Sequence, residues 1–169
     1  VIRDGLKNVI EEKSGFEVSE IKDLTLYIGN IDIRHHLMRQ DNPYEKCHQM
    51  VMELGEQIKS LNIKNIELVH ALPIENIARK LPKSGYYKGT PYYGTWEERA
   101  NLVDTFNTTL DRICIENAWS VFRWPEKFLN ESSELDFEYM ERPKSIHLSP
   151  LSYRWDLFNN VANSLHNQT

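Results

Sequence analysis

The chain has 169 residues, 40% apolar and 27% charged, a balance typical of one globular domain. Its net charge of −5 argues against a general nucleic-acid binder, because such proteins carry a basic field. No apolar run approaches the roughly 20 residues of a membrane span, and no secretory signal pattern is visible. Two cysteines, Cys47 and Cys114, are too few for a disulfide framework and favour a reducing compartment as buried thiols. We therefore expect one cytoplasmic domain over residues 1–169, without membrane or nucleic-acid partners.

The first half of the chain predicts a helix, a strand and a second helix. Apolar residues recur at helical spacing from Val1 to about Lys13. The run from Leu24 to Ile28 is short and rich in β-formers, which predicts a buried strand that ends at Gly29. Asn42 is followed by Pro43 and, two residues further, by Glu45, so a helix with an asparagine cap is expected there, with an apolar stripe that continues to Ile58.

The second half repeats the alternation. A second strand is predicted over Asn65–His70, followed by a long loop to Gly94. A capping box at Thr95 begins the strongest helix, and a third strand is expected over Trp119–Phe122. A last helix begins after Ser149. Strands that alternate with helices of this length predict an α/β fold with a parallel sheet, whose chemistry gathers beyond the carboxyl ends of the strands.

The densest polar cluster, residues 29–36, directly follows the first predicted strand. Gly29 and Asn30 are candidate donors to a developing oxyanion. Arg34 is either an anion clamp or a structural anchor, and Asp32 is a candidate substrate-binding side chain. The alternative is a polar turn whose Asp and Asn side chains satisfy backbone donors.

A second candidate, His147, lies just before the last predicted helix. An imidazole has an ordinary pKa near 6.5, which suits a general base at neutral pH. The alternative is a histidine on a surface loop.

Three motifs in order resemble the SGNH (GDSL-type) hydrolases: a strand ending in G-x-x-D-x-R, a helix with R-x-x-L-x-x-x-F-N, and H-L-S before a last helix. The matching residues are Gly29, Asp32 and Arg34; Arg99, Leu102, Phe106 and Asn107; and His147, Leu148 and Ser149. The resemblance extends from about Asp23 to Leu165 and depends on the order and spacing of the motifs. It implies a three-layer α/β fold with a parallel, flavodoxin-like sheet, and ester or acyl hydrolysis without a cofactor or metal.

The mechanism that the resemblance implies uses a serine nucleophile from a G-D-S block, His147 as general base and an aspartate that orients the histidine. The chain departs from the family at three points. It contains no G-D-S block, and Lys144 stands at the position of the triad acid. The oxyanion asparagine of the commoner G-x-N-D pattern falls on Ile31. Acidic residues that might replace the triad acid are Asp136, Glu138 and Glu141.

In the family, the nucleophile block also supplies the first central strand of the sheet. We expect that strand and the serine to come from residues upstream, with a partner chain or a rearranged sheet as alternatives. The expected substrate is a small-molecule or glycan ester.

The alternative function is a catalytically degenerate module for carbohydrate binding, protein binding or assembly. It would use the aromatic loop that carries Tyr86, Tyr87, Tyr92 and Tyr93. The last two of these tyrosines are also the candidate substrate contacts of a hydrolase. A metal site at Asp32, His35 and His36 is disfavoured, because no metal-ligand spacing is present.

Overall fold

The computed structural model describes residues 5–75, 88–89, 93–136 and 138. Helices and strands alternate along this part of the chain: α1 Leu6–Ser14, β1 Asp23–Tyr27, α2 Pro43–Ser60, β2 Asn65–Val69, α3 Trp96–Asn117 and β3 Ser120–Phe122. The strands form one sheet in the order β1-β2-β3, and both neighbouring pairs are parallel. The predicted α/β class with a parallel sheet is confirmed.

The sheet is covered on both faces. On one face, Leu68 of β2 belongs to a large core with the apolar sides of α2 and α3. Both crossover helices are expected on the same side, because strands in sequential order are joined by right-handed connections. The other face carries a smaller cluster of Leu72, Phe128 and Leu135, with Tyr27 packed against it. The described chain therefore has a helical layer, a sheet, and a third layer made by the irregular segment after β3.

The starts of the two long helices differ from each other. Thr95 and Glu98 form the predicted capping box, in which the Thr95 hydroxyl accepts from the Glu98 N–H at 3.2 Å. The predicted asparagine cap on α2 is wrong: Asn42 has φ 55° and makes no side-chain cap hydrogen bond. Capping side chains need an extended backbone at that position, which the left-handed conformation does not supply. Pro43 still occupies the first turn, as expected.

The first strand is less buried than the sequence predicts. None of the five residues of β1 is buried, since two are exposed and three are half-buried, whereas three of the five residues of β2 are buried. The prediction of a buried first strand is wrong because β1 lies at an edge of the described sheet, and within that sheet only β2 has a neighbour on each side. Both cysteines are buried free thiols, as predicted, and burial raises the pKa of each to about 12.

Helix α3 has one strongly buried face. Leu102 and Phe106 are completely buried there, whereas Ile115 on the opposite side is 80% exposed. This one-sided pattern is that of a helix packed on a core. None of the helices in the described part of the chain combines the length and the apolar character that crossing a bilayer requires.

We expect Leu102→Ala and Phe106→Ala each to lower the free energy of unfolding by about 2–5 kcal/mol, because each leaves a cavity in the core. Ile115→Ala is the matched control on the same helix and should change it by about 0.5 kcal/mol or less. Urea denaturation measures all three. Equal losses in the three variants would mean that the buried face of α3 is assigned wrongly.

Candidate functional site

Gly29 follows β1 and meets two requirements that a residue with a side chain does not: a left-handed backbone and the close approach of an aromatic ring. Its φ is 89°, in the left-handed region. A Cβ at this position would also lie 2.6 Å from the Phe106 ring. The backbone then winds at once into a helical turn, with a π-helical segment Asp32–His36, and the Ile33 N–H donates to the Gly29 carbonyl at 2.9 Å. The polar cluster predicted after the first strand therefore stands at the carboxyl edge of the sheet.

Arg34 is buried in this turn, and its guanidinium points into the protein. Its Nε lies 3.2 Å from Oε2 of Glu75, and both side chains are 0% exposed. Its Nη2 donates to the Pro73 carbonyl at 2.8 Å. Of the two roles open from the sequence, this geometry favours the structural anchor over the anion clamp. The anchor joins the turn after β1 to the segment that follows β2.

The same guanidinium sets the orientation of the Asn30 side chain. Arg34 Nη1 donates to Asn30 Oδ1 at 2.6 Å, and Asn30 Nδ2 donates to the Tyr27 hydroxyl at 2.5 Å. Arginine has only donors, so the amide must turn its oxygen toward Arg34. The Nδ2 group carries a second N–H besides the one used by Tyr27. Asn30 is half-buried, and its amide is thereby held as a donor at the carboxyl edge of the sheet.

The other predicted site residues lie in different surroundings. Asp32 is half-buried, and its charge adds to burial in raising the pKa of Cys47, which places its carboxylate near α2. Tyr93 is 58% exposed, with its ring centroid 5.6 Å from Cζ of Arg39. His147 and Tyr92 lie outside the described residues, as does Lys144. The structure thus brings Asn30 and Arg34 into contact and puts Tyr93 against a different arginine.

A second cluster, which the sequence analysis did not identify, stands at the end of β2. His70 Nε2 lies 2.8 Å from Oδ1 of Asp111 on α3. The same carboxylate oxygen accepts from Nη2 of Arg123, which follows β3, at 2.9 Å. A carboxylate can only accept, so it selects the tautomer of His70 with the proton on Nε2. Burial lowers the pKa of His70, and the hydrogen bond to Asp111 opposes that shift.

Backbone contacts hold this histidine in place. The His70 N–H donates to the Phe122 carbonyl at 3.0 Å, and the His70 carbonyl accepts from Trp124 Nε1 at 2.7 Å. The amide of Asn107 bonds both sides of the next residue: it accepts from the Ala71 N–H at 2.8 Å and donates to the Ala71 carbonyl at 3.4 Å. The segment after β2 is therefore bonded to β3 and α3.

A cavity of about 380 Å³ lies at this edge of the sheet. Side chains from several elements line it, including His70, Ile74, Trp96, Asp104, Arg123 and Trp124. Two signals in the sequence were available for this site: His70 directly follows an apolar strand, and Asn107 belongs to a matched motif. Its partner Asp111 is 41 residues away from His70, and no local pattern relates the two.

Within the described residues, no group of three or more His, Cys, Asp or Glu side chains is arranged to hold a metal ion. That search covered the described residues Asp32, His35 and His36. No protein-family model matches this chain, and no curated protein matches it significantly.

Gly29→Ala should be more costly than Gly15→Ala, which is its matched control. Both residues have positive φ, so each substitution should cost about 1–3 kcal/mol in backbone strain. Only Gly29 also abuts the Phe106 ring, whereas nothing lies within 4 Å of a Cβ at Gly15. Overpacking should add about 1–3 kcal/mol at Gly29. Thermal or urea unfolding measures the difference, and equal costs would mean that the ring does not touch this turn.

Asp111 and Arg123 shift the pKa of His70 in opposite directions, which gives a test of the cluster. Asp111 raises the pKa of His70, and Arg123 lowers it. We therefore expect Asp111→Asn to lower the pKa of His70 and Arg123→Ala to raise it, as followed by NMR titration of the imidazole protons. Identical pKa values in wild type and both variants would contradict the cluster.

Acidification should also destabilise the protein through His70. Its folded-state pKa is lowered, so it lies below the unfolded value near 6.5. The unfolded state then binds more protons between these two values, and the free energy of unfolding falls as pH decreases from about 6.5 through the folded-state pKa. His70→Gln removes the imidazole, so in this variant the free energy of unfolding, measured by urea denaturation at a series of pH values, should fall less over the same pH range.

Proposed function

We propose that this chain is an SGNH-type ester or acyl hydrolase domain that acts on a small-molecule or glycan ester. The order of its motifs supports the proposal, as does the position of the first motif, which follows β1 of a parallel sheet. The observation that carries it is the Asn30 amide, which stands beyond the carboxyl end of β1 with its oxygen on Arg34. An N–H donor held in this way before the reaction begins is what oxyanion stabilisation requires.

The proposed reaction is a two-step acyl transfer. A serine supplied from outside these 169 residues attacks the ester carbonyl, and His147 accepts the proton of the serine hydroxyl. The negative charge that develops on the carbonyl oxygen is stabilised by the Asn30 Nδ2–H and the backbone N–H of Gly29. Collapse of the intermediate expels the alcohol, which takes the proton back from His147. Water then hydrolyses the acyl-enzyme by the same route.

Arg34 is a positioning residue in this proposal. It reaches the reaction only through Asn30, whose amide it orients, while its own charge is paired with Glu75 at 3.2 Å. Without the guanidinium, the Asn30 side chain is free to rotate and present its oxygen, which would repel an oxyanion. The proposal therefore assigns substrate contact to Asn30 and not to Arg34.

The test combines covalent labelling with turnover. A fluorophosphonate should label one serine of the native protein, which peptide mass spectrometry then locates. With p-nitrophenyl acetate as substrate, His147→Ala should abolish turnover, and Asn30→Ala should lower kcat by about 10²–10³-fold. Asn65→Ala is the matched control and should leave kcat unchanged. Asn65 is the first residue of β2, so it lies at the amino ends of the strands, where its side chain donates to Asp23.

A folded protein that takes no label would overturn the hydrolase and leave the degenerate binding module as the better account of the chain. An Asn30→Ala variant with the same kcat as Asn65→Ala would overturn Asn30 as the oxyanion donor, which is the observation that carries the proposal.

A further inference from the structure

The cavity beside His70 has two indole walls whose polar atoms are already used. Trp96 Nε1 donates to the Ile74 carbonyl at 3.1 Å, and Trp124 Nε1 donates to the His70 carbonyl at 2.7 Å. Each N–H is satisfied by the protein, so the part of the two indoles that lines the cavity is apolar, and three other aromatic rings already pack against Trp124. The same two hydrogen bonds hold the rings in place before any ligand arrives, which reduces the entropy that binding would cost.

The polar groups around the cavity carry charges of both signs. Arg123 is 58% exposed, and its Nη2 is paired with Asp111, which also accepts a hydrogen bond from His70. Asp104 contributes a second carboxylate to the lining, and its residue is exposed. Burial lowers the pKa of His70, which disfavours a positive charge on this histidine. An anionic ligand would meet Asp104, and a cationic ligand would meet Arg123.

A neutral ligand with several hydroxyl groups fits this mixture better than either ion. Hydroxyls both donate and accept, so the same molecule can donate to Asp104 and accept from Arg123. The volume of about 380 Å³ is near the small end of the roughly 300–1,000 Å³ of ligand pockets, which suits a single ring.

We propose that this cavity binds a neutral saccharide ring, with C–H groups of the ring against Trp96 and Trp124 and its hydroxyls on Asp104 and Arg123. As a statement about binding, this inference stands on the cavity alone. As a statement about substrate, it narrows the ester to an acylated saccharide, and that part rests on the proposed function.

Three probes of similar size and different charge test the proposal by NMR titration: methyl β-D-glucopyranoside, glucuronate and glucosamine. The neutral glucoside should shift the indole N–H signals of Trp96 and Trp124 and the backbone amide signal of Ala71, in a saturable way. The affinity of each charged sugar should be lower than that of the glucoside by a factor of about ten or more, because each meets a like charge at the rim.

Two variants and one control identify the contacts. Arg123→Ala and Asp104→Ala should each weaken glucoside binding about tenfold or more, as expected for a lost hydrogen bond to a charged group. Arg112→Ala is the matched control: Arg112 is also an exposed arginine, lies 3.7 Å from Glu116, and does not line the cavity. Its affinity for the glucoside should equal that of the wild type. Amide spectra of the free variants establish that each is folded.

Four results would overturn the proposal: no saturable shift with any probe, tightest binding of glucuronate, tightest binding of glucosamine, or equal affinities in Arg123→Ala and Arg112→Ala. Binding is measured without turnover, so it is separable from the hydrolase. A protein that binds the glucoside but takes no fluorophosphonate keeps the saccharide site and loses the hydrolase. A protein that takes the label but does not bind the glucoside keeps the hydrolase and loses the saccharide site.

Discussion

The buried pair of Arg34 and Glu75 is the contact that joins the proposed oxyanion donor to the wall of the cavity. Each side chain is fully buried, and the pair joins the turn after β1 to the segment after β2. Removing one partner of such a pair leaves an uncompensated charge, at a cost of about 3–5 kcal/mol. The same guanidinium also orients Asn30 and holds the Pro73 carbonyl, beside the cavity. One cation thus orients the proposed oxyanion donor and holds part of the cavity wall.

Much of the fold is predictable because the relevant signals are local. Alternating strands and helices imply a parallel sheet, and the spacing of Thr95 and Glu98 predicts the start of α3. The errors concern properties that a short stretch of sequence does not contain. The cap at Asn42 fails because its backbone adopts φ 55°. The burial of β1 depends on which strands lie beside it, and that is decided by residues far along the chain.

The site divides in the same way. The position of Gly29 and Asn30 at the carboxyl ends of the strands is predictable, because both follow a short apolar run that forms a strand. The role of Arg34 could not be decided from the sequence, since its partner Glu75 is 41 residues away. The cluster of His70, Asp111 and Arg123 escaped prediction because three separate elements contribute to it. It exists only once α3 has packed on the sheet in one register.

That register has a consequence for how the two clusters are related. Along α3, Phe106 abuts Gly29, Asn107 bonds Ala71, and Asp111 bonds His70. These contacts occupy about one and a half turns of the helix, so no shift along its axis moves one without the others. A single residue inserted between Asn107 and Asp111 would rotate the carboxylate by about 100° away from His70 while leaving the Gly29 contact in place. The length of this short helical stretch, and not only its composition, is therefore under constraint.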